Sequence, residues 1–198
     1  VSEMLDGGYY DLVVTYDFSQ GVSEACEKEN VKYLAWVYDS PLLQLYTKEV
    51  RNKNNYICVF ERNQKERLKD KGIQNLFYYP LSAEVDAFGI VKVTKKKKKK
   101  YTSDISFVGN LYSWGEYERV FSGAREDIQK EAESIVHSTQ CIWDGEKNIF
   151  GKASNLLMEY MISMQNEDYW AKYNIEKDYF CESMILGVKV SEIERVTI

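Results

Sequence analysis

The chain has a single histidine, His137, among its 198 residues. Catalysis by paired histidines and His-rich metal sites are therefore excluded, and a lone histidine on a helical stretch reads as a surface or packing residue. The four cysteines, Cys26, Cys58, Cys141 and Cys181, are far apart and form no CxxC pair. That spacing argues against a structural zinc site, whose ligands come in close pairs, and reads as reduced, mostly buried thiols of a cytoplasmic protein. No GxGxxG and no P-loop is present, so a nucleotide pyrophosphate has no glycine-rich cradle here. Gly7-Gly8 precedes a strand rather than following one, and reads as a turn. No apolar run reaches the eighteen or so residues of a membrane span, and no signal peptide is visible.

What is abundant is tyrosine, with 16 residues. Its large ring and polar tip suit domain interfaces, sugar-binding clefts and ordinary cores alike. Hydrophobic residues make up 44% and charged residues 29%, enough apolar material for a packed core. The net charge is −5, but Lys95 through Lys100 are six consecutive positives. Without those six charges the net of −5 becomes −11. An acidic body does not attract nucleic acid or anionic lipid. The lysine run reads as a solvated loop, with a phosphate-bearing substrate or an anionic surface as the rival reading.

The first half alternates short apolar runs with amphipathic stretches, the pattern of a parallel α/β sheet. Strands are expected at 11–16, 31–38, 56–60, 76–79 and 105–108. Helical spacing follows the first at Val22, Ala25 and Cys26. Ser40 and Pro41 suit the cap and first turn of a helix whose apolar face is Leu42, Leu45, Tyr46 and Val50. Asn63 with Glu66 resembles a capping box, and Gly72 is placed to end that helix. From Gly115 the period lengthens to about 3.6 residues. Tyr117, Val120, Phe121, Ala124 and Ile128 form one stripe. Ile149, Ala153, Leu156, Leu157, Tyr160 and Met164 form a second, with Met158, Met161 and Met164 filling gaps; a less regular segment runs from 168 to 188. The fold class expected is α/β, a Rossmann-like parallel sheet with helices on both faces, followed by a mostly helical C-terminal segment. The division expected is 1–113 for the sheet domain and 114–198 for a helical extension.

In open α/β sheets, ligands bind outside the carboxyl ends of the strands. Here those ends carry Asp17, Phe18 and Ser19, then Asp39 and Ser40, then Glu61 and Arg62, then Ser82, then Asn110. Adjacent parallel strands would set Asp17, Asp39 and Glu61 on one rim, where a carboxylate can take a proton from an acceptor hydroxyl. Asp39 is the first candidate catalytic residue, because its strand is rich in large apolar residues and so central. Asp17 is the alternate, with Phe18 beside it to stack on a sugar ring. Ser19, Ser40, Glu61, Arg62, Ser82 and Asn110 are the candidate binding residues. The competing reading makes Asp17 and the Asp39-Ser40 pair helix caps, and Glu61 with Arg62 a solvated ion pair. No metal or other cofactor is expected.

The segment YLAWVYDSP at 33–41 resembles a signature of the N-terminal domain of CgeB-like (spore-maturation-like) glycosyltransferases. VFER at 59–62 resembles that family's next strand end, with Glu61 where Asp is usual. NLFYYPLS at 75–82, DISFVGNLY at 104–112 and VKVSEIER at 188–195 follow in the family's order. The last resembles the stretch just before the second Rossmann domain. The resemblance covers most of residues 11 to 195 and implies a GT-B fold, two Rossmann-like halves facing across a cleft. It implies transfer of a sugar from a nucleotide-sugar donor to an acceptor, without a bound metal. The acceptor would sit on this half, and the donor mainly on a C-terminal half that this sequence lacks. The chain begins at Val1 rather than Met, and the expectation is a piece of a longer enzyme, inactive by itself. Two other function classes stay open: a non-catalytic α/β binding or interaction module, and a basic-loop nucleic-acid binder.

Overall fold

A computed structural model describes residues 1–6, 8–90, 92–106, 108–110, 115–139, 149–168, 170 and 175–197, with only the backbone of Phe88 and Thr197. The expected domain boundary at 113/114 and Cys141 lie outside the described residues. A short α1 (Ser2–Leu5) leads to β1 (Leu12–Tyr16), α2 (Gln20–Lys28) and β2 (Lys32–Trp36). Two 3-10 turns, Leu43–Tyr46 and Lys48–Arg51, precede β3 (Asn55–Val59), α3 (Arg62–Asp70) and β4 (Leu76–Tyr78). The four strands are all parallel, in the order β1-β2-β3-β4, with Leu12 opposite Lys32, Tyr33 opposite Asn55 and Ile57 opposite Leu76.

Alternation along the strands sorts the side chains onto two unlike faces. Tyr33, Ala35, Ile57 and Val59 have no exposed area and pack with Cys26 of α2 and Leu68 of α3 in one core. On the other face Leu12, Val14, Tyr16 and Phe77 are all exposed. Strand order explains the asymmetry. Parallel crossovers are right-handed, so a sheet that grows in one direction receives every crossover on the same side. Helices reach the second face only after the order reverses, and among the described residues it does not. The α/β fold with a parallel sheet and a helical C-terminal part stands as expected; among the described residues the second face of the sheet is the more exposed.

Other departures have local causes. No α-helix follows Pro41. The Ser40–Pro41 peptide is cis, and Thr47 is extended, with its hydroxyl donating to the Gln44 carbonyl at 3.0 Å. Such a local bond competes with helix continuation and leaves two 3-10 turns. The Asn63 capping box does not form, because α3 starts two residues earlier with Glu61 at its N-cap position. Gly72 does end that helix, at φ +80, with its amide bonded to the Lys69 carbonyl. At the expected fifth strand, Ile105, Ser106 and Val108 are exposed and outside any strand, and Phe107 lies outside the described residues.

After β4 come two short helices, α4 (Val85–Gly89) and α5 (Lys95–Tyr101). The helical part is α6 (Glu116–Phe121), α7 (Glu126–Thr139) and α8 (Asn155–Ser163), then α9 (Lys177–Phe180), a π-helical stretch Cys181–Gly187, and α10 (Val188–Thr197). The stripes expected there are buried at Val120, Phe121, Ile128, Ile149 and Leu157. Leu156 turns out to solvent and Met161 takes an inward place, since α8 begins at Asn155 behind the Ser154 cap.

The helical part is fastened to the sheet part by a column of rings. Tyr46 of the first 3-10 turn stacks on Tyr179 at 3.2 Å between centroids, and Phe150 stacks beside Tyr179 at 5.5 Å. The Arg67 guanidinium lies 4.3 Å over the Phe150 ring, and Lys71 pairs with Glu176. Nearby Glu182 is buried, its Oε1 accepting from the Gly151 amide at 2.6 Å.

Two measurements check this account. Ile57→Ala, in the covered layer, is expected to lower unfolding free energy by about 2–5 kcal/mol. Val14→Ala, on the open face, is expected to cost less than about 1 kcal/mol; urea midpoints at constant slope decide. Burial pushes the Glu182 carboxyl above its ordinary value, against the opposing Gly151 hydrogen bond and with Asp178 adding to the rise. Its contribution to stability is therefore full below the ordinary carboxylate range and is lost as pH rises through the raised native value. Glu182→Gln keeps an oxygen for Gly151, so the variant's melting temperature is expected to fall less than the parent's between about pH 4 and about pH 7.

Candidate functional site

The carboxyl ends of β1, β2 and β3 lie side by side, and four of the expected residues, Asp17, Asp39, Ser40 and Glu61, converge there. Asp17 follows β1 with φ +58, a left-handed conformation that aspartate tolerates better than most side chains. Its Oδ1 accepts from the amides of Tyr38 and Asp39 at 2.7 and 3.0 Å. The carboxylate therefore clamps the loop after β2, rather than standing open to a ligand. Behind it, the Tyr33 phenol shares a hydrogen bond with the Thr15 hydroxyl at 2.7 Å and accepts from the Ser19 amide at 2.9 Å. Burial raises the Tyr33 phenol above its ordinary value, so it stays neutral and able to donate.

Ser40 donates to Glu61 Oε2 at 2.9 Å, linking the ends of β2 and β3. It caps no helix. Asp39, between the clamp and this bridge, is exposed, and among the described residues its carboxylate makes no hydrogen bond or ion pair. It does not cap the following turn either, which starts at Leu43 without a side-chain cap.

Asp39, Ser40 and Pro41 form one wall of a cavity of about 330 Å³. The rest of the lining comes from the π-helical stretch and α10: Met184, Gly187, Val188, Ser191 and Arg195. The Arg195 guanidinium donates to the Asn110 carbonyl, which brings Asn110 to the same end of the sheet. A π-helical stretch shifts the side chains beyond it around the helix axis, and such stretches recur at functional sites. The result is a recess with a carboxylate, two hydroxyls and a guanidinium on an apolar floor, in the size range of small-ligand pockets.

Other expected residues lie elsewhere. Phe18 is a correction: its ring is 1% exposed and packs 5.7 Å from Tyr33, leaving no face for a sugar. Ser19 sits at the N-cap position of α2. The Arg62 guanidinium lies 5.2 Å over the Tyr78 ring, away from Glu61. Ser82 is exposed on the segment after β4 and does not line the cavity. Ser191 and Arg195 were not singled out from sequence as site residues. Their spacing of four on a helix, in line with Gly187, is the signal that puts them on one face.

Nucleophilic sulfur is not offered here. Burial raises the thiols of Cys26 and Cys58, and pushes that of Cys181 up to about 12. Among the described residues no group of three or more His, Cys, Asp or Glu is placed to hold a metal, and no helix is long and apolar enough to cross a membrane. Comparison with protein-family models, with curated proteins and with solved structures finds no match.

The clamp yields a graded expectation. Asp17→Ala removes both acceptor bonds and is expected to cost about 1–2 kcal/mol. Asp17→Asn keeps a carbonyl acceptor and tolerates the same backbone conformation, so it is expected to stay within about 0.5 kcal/mol. Chemical denaturation of the two variants is the check, and equal losses would show that the clamp contributes nothing.

Proposed function

We propose that this chain is the acceptor-side half of a two-domain glycosyltransferase, with Asp39 as the base that activates the acceptor hydroxyl. The observation that carries the reading is the cavity at the end of β2, where the Asp39 carboxylate stands without a protein partner among the described residues, opposite Ser191 and Arg195. The motif resemblance to CgeB-like enzymes supports the same reading, although no family model matches. In this mechanism an acceptor hydroxyl hydrogen-bonds to Asp39 and attacks the anomeric carbon of a sugar held by the donor half. The new C–O bond forms as the bond from that carbon to the nucleotide phosphate breaks. The hydroxyl proton passes to Asp39, and the nucleotide leaves with the bonding electron pair. Ser40 and Ser191 would fix the remaining hydroxyls by hydrogen bonds.

A second reading, a non-catalytic interaction module of the same fold, is favoured by the exposed sheet face at Leu12, Val14, Tyr16 and Phe77. One experiment separates the two. In the protein carrying its donor half, Asp39→Asn is expected to cut sugar transfer by roughly 10²–10⁴-fold. Its melting temperature should not move, because Asp39 makes no side-chain bond that the change would break. A parent protein that consumes no nucleotide sugar would establish the module instead.

A further inference from the structure

The segment after β4 lines no part of the cavity and meets it only at its end, where the Asn110 carbonyl accepts from Arg195, and its surface chemistry is unlike the rest of the molecule. From residue 80 to residue 110 every side chain described is exposed. Helix α5 consists of six lysines and Tyr101, closed at its start by Thr94, whose hydroxyl accepts from the Lys97 amide. Consecutive lysines on a helix are spaced 100° apart, so the charge surrounds the axis and no apolar face remains. Among the described residues none of the six pairs with a carboxylate, although the remainder of the chain is strongly acidic.

Aliphatic side chains bracket this charge. Val85, Ile90 and Val93 precede it, and Ile105 and Val108 follow, all between 59% and 97% exposed. Single exposed aliphatics are ordinary. Five of them flanking a hexalysine without a carboxylate partner, in a segment whose described side chains are all exposed, form a pattern that matches a bilayer surface. We propose that residues 80–110 dock the protein on the anionic headgroup surface of a lipid bilayer, with α5 supplying the charge and the flanking aliphatics entering the interface.

A bilayer surface rewards lysines at the headgroups together with apolar side chains just below them. A nucleic acid rewards the lysines but gives Val and Ile no site, and its single strands select stacking rings. Of the rings in this segment's sequence, Phe88, Tyr101 and Phe107, that of Tyr101 is already covered by the Lys100 ammonium at 5.1 Å. Salt screens the acidic remainder beyond about 8 Å, so the body does not cancel a contact made by the segment itself.

The test is co-sedimentation of the full chain with vesicles of phosphatidylcholine alone and of phosphatidylcholine mixed with phosphatidylglycerol. Binding to the anionic vesicles is expected to exceed binding to the neutral ones by about tenfold or more, and to weaken as salt rises from about 50 to about 200 mM. Replacing all six lysines by Gln should remove the preference. Ile90→Ser with Ile105→Ser and Val108→Ser should lower binding about threefold or more with every lysine in place. No preference for anionic vesicles would overturn the proposal. So would binding that ignores the serine changes and is matched by a DNA duplex, which would identify a polyelectrolyte contact instead. None of these positions is buried, so both variants should melt with the parent; a lowered melting temperature would mean that the segment packs on the body, and would equally overturn it.

Discussion

The stacking of Tyr46 on Tyr179 is the contact on which the rest of this architecture turns. Tyr46 belongs to the short turn after β2, and Tyr179 to the helix that continues into the π-helical stretch and α10. Fixing one ring against the other sets the long C-terminal helix at a defined height beside the sheet. Phe150, Arg67 and the Lys71–Glu176 pair extend the same attachment along α3. Burial raises the Tyr179 phenol well above its ordinary value, so that ring enters the stack uncharged. With that helix in place, Ser191 and Arg195 face Asp39. Without it, the end of β2 would border open solvent and no cavity would exist.

The sheet carries a complementary constraint. Parallel sheets ordinarily have both faces covered, because strands joined by crossovers are apolar on both sides. Here one face has that cover, and the other is paved with rings: Trp36 lies 5.9 Å from Tyr16 and meets Tyr79 edge-on at 5.4 Å. Rings that lean on each other reduce the apolar area left to water. The surplus of tyrosine in the composition thus has two separate uses. Some tyrosines fasten the two parts together, and others line the sheet's open face.

Much of this was legible from the order of residues. Short apolar runs separated by amphipathic stretches gave four strands within a residue or two at each end, because a buried parallel strand needs an unbroken apolar run and little else does. The rim of Asp17, Asp39, Ser40 and Glu61 followed from strand direction alone. What stayed hidden depended on contacts distant in sequence. Ser40 and Pro41 read as a helix start, yet Ser40 bonds to Glu61, a partner 21 residues away. Phe18 read as a ligand platform, but apolar character cannot say whether a ring faces the core or the cleft. Gln64 and Glu49 are buried, where hydropathy alone would place an aliphatic residue. The run at 105–108 has the composition of a strand and no strand beside it among the described residues, because local propensity cannot supply the neighbouring edge.

The two aspartates of the rim show how position divides the work of identical side chains. Sequence ranked Asp39 first and Asp17 as the alternate, each at the end of an apolar strand. Folding separates them through one backbone choice. Asp17 takes a left-handed conformation that is unfavourable for most L-residues, and in doing so turns its carboxylate toward the next strand end. There it accepts two amides that would otherwise point into the turn without partners. Those bonds hold the backbone of Tyr38 and Asp39, so the second carboxylate is carried on a fixed stem. A base must lie within hydrogen-bond reach of the proton it takes, and small errors in placement are costly. A carboxylate oxygen already bonded to two amides is less free to meet a hydroxyl proton than an open one. The clamp therefore makes Asp17 unfit for the role in which it positions Asp39. That division of labour is the physical ground for preferring Asp39 at this site.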